Sequence, residues 1–161
     1  MTSSTEYQAT LDFPADTDIL ITRTFQAPAD LVYRAMTEPD LIRKWWGAGH
    51  GEVTTCEVDL RVGGAWRFVM TTPDGSEVAF SGEYVELDAP SRIVHTERYE
   101  AVPAPPSTIT SSFEEHDGAT TLRALCRYDS KETRDAVIAS GMESGMNASY
   151  DALERVAAGL R

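Results

Sequence analysis

The sequence has few basic residues and no long apolar segment. Its 161 residues include 14 Lys and Arg against 26 Asp and Glu, which gives a formal net charge of −12. Nucleic acids and anionic membrane surfaces are held by basic clusters, so we expect neither as a partner. No run of about 18 apolar residues is present, and the N-terminal residues lack the basic and apolar regions of a signal peptide. We therefore expect a cytoplasmic protein.

Cysteine and histidine are also scarce. The two cysteines, Cys56 and Cys126, lie 70 positions apart, without the density of a disulfide framework or the spacing of a metal site. The three histidines, His50, His95 and His116, are scattered and share no ligand spacing with them. We predict that both cysteines are buried or half-buried and free, and we expect no metal and no cofactor.

Hydrophobic periodicity divides the chain into three parts. A β-branched run over residues 19–25 predicts a strand, and the apolar spacing after Pro28 and again over residues 40–46 predicts two short helices. Residues 53–128 alternate between apolar and polar positions and contain turn sequences, which predicts an antiparallel meander of about six strands. Residues 138–160 carry apolar or small residues at steps of three and four, which predicts one long helix.

These parts predict an α+β fold in which a curved antiparallel sheet of about six to seven strands surrounds one long C-terminal helix, with two short helices after the first strand. The sheet must curve because a single long helix covers it. Residues 16–161 are predicted to form one domain. The first twenty positions hold no basic residue, and we expect residues 1–15 to form a flexible, solvated arm, with an added edge strand as the alternative.

Five short motifs accompany this order of elements: FQAPADLVY at residues 25–33, WWG at 45–47, VGGAWRF at 62–68, PDG at 73–75 and PSRIV at 90–94. With them the sequence resembles the bacterial activator-of-heat-shock-protein-90-ATPase homologues, from residue 18 to the C-terminus. That resemblance implies the helix-grip fold of the START-like (SRPBCC) superfamily, whose domains usually enclose an apolar ligand cavity. One departure is Met146, where relatives commonly carry tryptophan; a flexible thioether there would reshape the roof of the cavity.

The most informative chemistry lies between residues 93 and 99. Alternation places Ile93, His95, Glu97 and Tyr99 on the face toward the long helix. Burial would raise the pKa of Glu97 and lower that of His95, whereas mutual ionisation would do the reverse, so a shared proton and an ion pair are both open. Four interpretations of the two side chains stay open. They are hydrogen-bonded to backbone and water, or a bulge turns them outward. Otherwise they anchor a ligand in an apolar pocket or transfer protons in catalysis.

Aromatic and methionine side chains complete the predicted site, with plain core packing as the alternative for each stripe. The predicted ligand-binding residues are Trp45, Trp46, Trp66, Met70, Tyr84, His95, Glu97, Tyr99, Met142, Met146 and Tyr150. We predict that they hold a small apolar or aromatic molecule between the sheet and the C-terminal helix.

Two other functions stay open. One is an enzyme of the cyclase, dehydratase or hydrolase kind that uses His95 and Glu97 as catalytic residues. The other, implied by the family resemblance, is a chaperone-associated interaction module that acts through its acidic surface. No nucleophile elbow or catalytic-triad spacing is present, so we favour binding over catalysis. A homodimer through an edge strand or the proline-rich loop at residues 101–106 is also left open.

Overall fold

The computed structural model describes residues 8–161, and the first part of the predicted arm, residues 1–7, lies outside the described chain. The elements in chain order are β1 (Thr10–Asp12), β2 (Asp18–Phe25), α1 (Ala29–Thr37), α2 (Pro39–Trp45), β3 (Glu52–Val58), β4 (Ala65–Thr71), β5 (Glu77–Asp88), β6 (Arg92–Tyr99), β7 (Ser107–His116), β8 (Ala119–Arg127), α3 (Lys131–Ala139) and α4 (Met142–Ala158). The predicted α+β fold, with two short helices, an antiparallel meander and a long C-terminal helix, is confirmed.

The strands form one antiparallel sheet in the order β1-β2-β8-β7-β6-β5-β4-β3. The described chain therefore has eight strands rather than about six to seven. The additional strand is β1, which lies in the segment predicted as an arm and pairs Leu11 with Ile21 of β2. Side chains alternate across each strand, so one face of the sheet is directed toward the helices. The buried side chains of β2 show this period of two: Ile19, Ile21, Arg23 and Phe25.

The C-terminal residues form two helices, and the prediction of a single helix from residue 138 onward was wrong. α3 ends at Ala139 and α4 begins at Met142; between them Gly141 has a φ of 81°, a left-handed conformation that favours glycine. The spacing of three and four continues across this break, so periodicity alone does not reveal it. Within residues 8–161, no helix is long and apolar enough to cross a membrane.

Polar contacts fix α3 to the sheet. Ser130 accepts a hydrogen bond from the Thr133 N–H at 3.1 Å and caps the start of α3. Arg134 donates to the main-chain oxygen of Asp18 at 3.3 Å. Arg127 holds the Asp18 carboxylate at 3.0 and 3.1 Å, and these hydrogen bonds lower the pKa of Asp18. The start of β2 is thereby tied to both β8 and α3.

α4 contacts the sheet mainly through side chains. Its backbone packs closely on α1 and α2, whereas α1 and α3 make closer backbone contact with the strands than α4 does. Long side chains, rather than close backbone contact, bridge the interval between α4 and the concave face of the sheet. The polar and aromatic residues of the predicted site meet in this interval.

Candidate ligand site on the concave face

A row of side chains runs across four strands at the centre of the concave face. Tyr84 of β5 lies opposite His95 of β6, His95 opposite Ile109 of β7, and Ile109 opposite Cys126 of β8. Residues paired in this way share one face of the sheet, so the row is continuous. Glu97 lies on the same face, two residues further along β6.

His95 carries a polar atom without a partner. Its Nδ1 is buried and makes no hydrogen bond within the described chain. The imidazole lies edge-on to Trp66, with ring centroids 5.6 Å apart, and its centroid is 6.5 Å from that of Tyr84. Burial lowers the pKa of His95 to about 4, so the ring is neutral near pH 7. Buried polar atoms in native proteins ordinarily have a hydrogen-bond partner, which makes this nitrogen a candidate ligand contact.

Glu97 is a partly buried carboxyl group that pairs with no cation in the described chain. Among residues 8–161 no side chain forms an ion pair or hydrogen bond with its carboxylate, and burial raises its pKa from the ordinary 4.5 to about 7. Ser107, its cross-strand partner, donates to the main-chain oxygen of Glu97 at 3.2 Å. Burial also raises the pKa values of Cys126, Tyr128 and Tyr150, and the charge of Glu97 adds to each shift because these groups lie close to it.

His95 and Glu97 share a face but not a bond. No ion pair or hydrogen bond joins the two side chains in the described part of the chain, and burial shifts the pKa of each toward its neutral form. Both residues still keep some accessible surface. The irregularity in this part of the sheet lies on β5, between Tyr84 and Glu86, and leaves both side chains on the inner face.

Aromatic rings form one wall of this interval. Trp66 donates from its indole Nε1 to the main-chain oxygen of Thr96 at 3.2 Å. This close approach requires glycine at position 82, because a Cβ there would lie 1.9 Å from that same oxygen and 2.9 Å from the indole nitrogen. Phe68 packs against Trp66 with centroids 4.8 Å apart, and Trp46 lies edge-on to Phe68 at 5.6 Å.

The roof of the interval comes from α4. Met142, Met146 and Tyr150 are partly buried against the core. Tyr150 lies edge-on to Phe25 at 5.6 Å, which fixes the ring while its hydroxyl lies near Glu97. Gly145 adjoins open space: a Cβ added there would meet only the His50 ring, at 3.9 Å.

Three of the predicted residues lie away from the central row. Trp45 is buried between the short helices, where its Nε1 donates to the Ala35 main-chain oxygen at 2.8 Å. Met70 packs under the glycine-rich loop that follows α2, with its sulfur where a side chain at Gly47 would have to lie. Tyr99 is 41% exposed and stacks on Phe80 at 5.0 Å, so it lies at the rim.

Sequence reasoning missed Arg23, which is also on the inner face and only 2% exposed. Its guanidinium donates to Asp151 at 2.9 Å and to Glu154 at 3.0 Å, both on α4, and to the Thr24 main-chain oxygen at 3.1 Å. The signal was present: Arg23 occupies an inward position of the period of two that also buries Phe25. Arg23 therefore ties β2 to α4.

A groove of about 470 Å³ is lined mainly by outward-facing side chains of the sheet, and Trp66, Gly82 and Thr96 also border it. Much of its lining is charged and exposed, including Arg67 and Glu100, which pair at 2.9 Å as expected for an arginine facing solvent. Among the residues described, no group of three or more His, Cys, Asp or Glu side chains is placed to hold a metal ion. Both cysteines are buried and free, as predicted.

The sequence is similar to one protein family and to several solved structures. Residues 26–158 match the family model described as Activator of Hsp90 ATPase homolog 1-like protein. The chain belongs to this family. No curated protein matches the sequence. Solved structures of similar proteins provide the next comparison.

A crystal structure from Rhodobacter sphaeroides is similar over 96% of this chain and all of its own, with 28% identity and a TM-score of 0.87. One from Mycobacterium smegmatis is similar over 92% and 96%, with 28% identity and a TM-score of 0.82. An HSP90 activator from Plasmodium falciparum is similar over 70% and 73%, with 23% identity and a TM-score of 0.55, which shows the shared fold alone. The helix-grip, SRPBCC-type fold of this Activator of Hsp90 ATPase homolog 1-like domain is thus confirmed.

Proposed function

We propose that this protein binds a small molecule with an apolar or aromatic body between the concave face of the sheet and α4. The observation that carries the proposal is a buried, unpaired His95 Nδ1 on the same largely apolar face as the Glu97 carboxyl, which makes no hydrogen bond or ion pair within the described chain. A binding site of this kind consists mainly of apolar and aromatic surface with a few polar groups that orient the ligand. Trp66, Phe68 and Tyr150 supply the apolar surface here.

The side chains of α4 that face the sheet support the same proposal. Met142, Met146 and Tyr150 are only partly buried against the core, and the family resemblance implies tryptophan at the position of Met146. A thioether adapts its shape to an occupant more readily than an indole does.

Native mass spectrometry of the purified protein tests the proposal first. We expect a bound small molecule that is lost on denaturation. A fluorescence titration with 2-naphthalenemethanol, a neutral aromatic probe, then measures the affinity of the emptied site. Met146→Trp fills the roof and is expected to weaken binding by about tenfold or more, as blocking an apolar pocket removes most of its buried area.

Thr108→Trp is the matched control, because Thr108 is exposed on the outer side of β7, between Ser107 and Ile109. It adds the same side chain without touching the interval, and the probe should bind as it does to the original protein. Thermal unfolding of both variants checks that each is folded. Failure of the probe to bind at all, or equal binding to both variants, would contradict the proposal.

A proton-transfer enzyme is the second candidate, and the pKa of Glu97 favours it. A carboxyl group with a pKa of about 7 is suited to act as general acid or general base near neutrality. It ranks second because no hydrogen bond or ion pair joins the His95 and Glu97 side chains in the described chain. Mass spectrometry of the bound molecule before and after incubation tests it: turnover should disappear in both His95→Ala and Glu97→Gln, and turnover that survives both contradicts it.

A further inference from the structure

The charges inside the fold do not balance around Glu97. Arg23 is a cation on the same concave face, but its guanidinium is already bonded to Asp151, Glu154 and the Thr24 main chain. Within the described chain no Lys or Arg pairs with the Glu97 carboxylate. A buried carboxylate without a counter-charge is unfavourable, and a bound cation would supply the charge that the protein does not.

Ser107 of β7 and the titratable groups described near Glu97 on β6, β8 and α4 are uncharged near pH 7. On β6, His95 is neutral near pH 7; on β8, Cys126 and Tyr128 have raised pKa values and keep their protons; on α4, Tyr150 does the same. Aromatic rings attract a cation through the negative face of the ring. These surroundings suit a positive charge better than a negative one.

We propose that the ligand is an organic amine with an aromatic or apolar body, whose ammonium group binds the Glu97 carboxylate beneath α4 and whose body packs against Trp66. This inference rests on the proposed function and adds the ligand's charge to it. His95 Nδ1 is placed two residues along the same strand face and accepts a further hydrogen bond when the imidazole proton is on Nε2.

The proposal predicts that the affinity for the amine depends on pH. Where Glu97 is protonated in the empty site, amine binding forms a carboxylate–ammonium pair and releases one proton to solvent. The affinity for the amine should therefore rise as the pH increases through about 7, the pKa of Glu97, while the affinity for a neutral analogue stays constant. Below that range the site must first lose a proton before it accepts the cation.

Three probes of nearly the same shape test the inference on the full chain: 2-naphthylmethylamine, 2-naphthalenemethanol and 2-naphthoate. Near pH 8 we expect the amine to bind about tenfold or more tightly than the alcohol, and the carboxylate to bind most weakly. Glu97→Gln should abolish the preference for the amine while it leaves alcohol binding within about threefold.

Glu83→Gln is the matched control, because it removes one carboxylate from the exposed, outer side of the adjacent strand β5. It should keep the preference for the amine. Equal or tighter binding of the alcohol or the carboxylate, or a preference for the amine that survives Glu97→Gln, would overturn the inference and leave the proposed function standing. Failure of all three probes to bind would overturn both. A pH-independent affinity for the amine would also contradict the inference, even if Glu97→Gln were poorly folded.

Discussion

Two groups of polar residues lie on the concave face, and they differ in whether the protein satisfies them. Arg23 is bonded to Asp151 and Glu154 of α4 and to a main-chain oxygen. His95 and Glu97 have neither a shared bond nor a counter-charge among the described residues. Both groups are enclosed by the same helix and sheet, so burial alone does not separate them.

The difference separates structure from function. A buried arginine whose three nitrogens each donate a hydrogen bond contributes to holding β2 against α4, and its removal leaves unpaired charges. An unsatisfied polar group lowers the free energy of unfolding, because no hydrogen bond compensates for its desolvation. Polar residues that destabilise the fold are the better candidates for a ligand site, since a bound ligand supplies the hydrogen bond or charge that they lack.

The largest expected effect comes from breaking the satisfied group. Arg23→Met keeps much of the side-chain volume but removes the charge and should lower the free energy of unfolding by about 2–4 kcal/mol, measured by urea denaturation. Asp151 and Glu154 are 31% and 25% exposed, so water relieves part of the cost.

Arg34→Met is its control, since the Arg34–Glu38 pair is exposed and its loss should change the free energy of unfolding far less. Equal destabilisation by the two substitutions would show that Arg23 is not a structural tie.

The next effect is a pH dependence from Glu97. The pKa of this group in the folded state, about 7, lies above its ordinary value of 4.5, so the folded protein binds its proton more tightly than the unfolded chain does. The protonated Glu97 therefore stabilises the folded state relative to the ionised one. This contribution is complete below about pH 4.5 and is lost as the pH rises through about 7, with a magnitude of at most about 3 kcal/mol.

Urea denaturation of the original protein and of Glu97→Gln at a series of pH values measures this difference. The free-energy gap between the two should change between pH 5 and pH 8, with the original protein losing stability relative to the variant as the pH rises. Asp18, whose pKa is lowered mainly by its hydrogen bonds to Arg127, acts in the opposite direction but is common to both proteins. A constant gap would mean that Glu97 is solvated.

A smaller effect of opposite sign is expected at His95. His95→Phe removes the unpaired Nδ1 and keeps a ring beside Trp66, so the free energy of unfolding should rise by about 1 kcal/mol near pH 7. His116→Phe, at an exposed position, should change it by no more than about 0.5 kcal/mol. Destabilisation by His95→Phe would indicate that His95 is satisfied and belongs with Arg23.

The sequence predicted the fold better than it predicted this contrast. Alternation along residues 93–99 placed His95 and Glu97 on one inner face, and the same rule applied to β2 would have placed Arg23 there. Alternation does not indicate which residues form hydrogen bonds with an inward-facing side chain. Asp151 and Glu154 come from a helix 128 and 131 residues away, and their approach depends on where α4 is held.

The break at Gly141 and the rim position of Tyr99 were hidden for related reasons. Helical spacing continues across the break, and the face of a strand does not say how near its end a residue meets solvent. The unpaired state of His95 and Glu97 is likewise a property of everything that surrounds them.

The smallest expected effect tests whether the unsatisfied side of α4 is open. Gly145 lies within α4, where alanine is favoured over glycine by about 1 kcal/mol, and an added Cβ would meet only the His50 ring at 3.9 Å. Gly145→Ala should therefore raise the free energy of unfolding by about 0.5–1 kcal/mol, measured by urea denaturation. A loss of stability instead would mean that side chains already fill this end of the interval, and the unsatisfied groups would then have to be explained without a ligand.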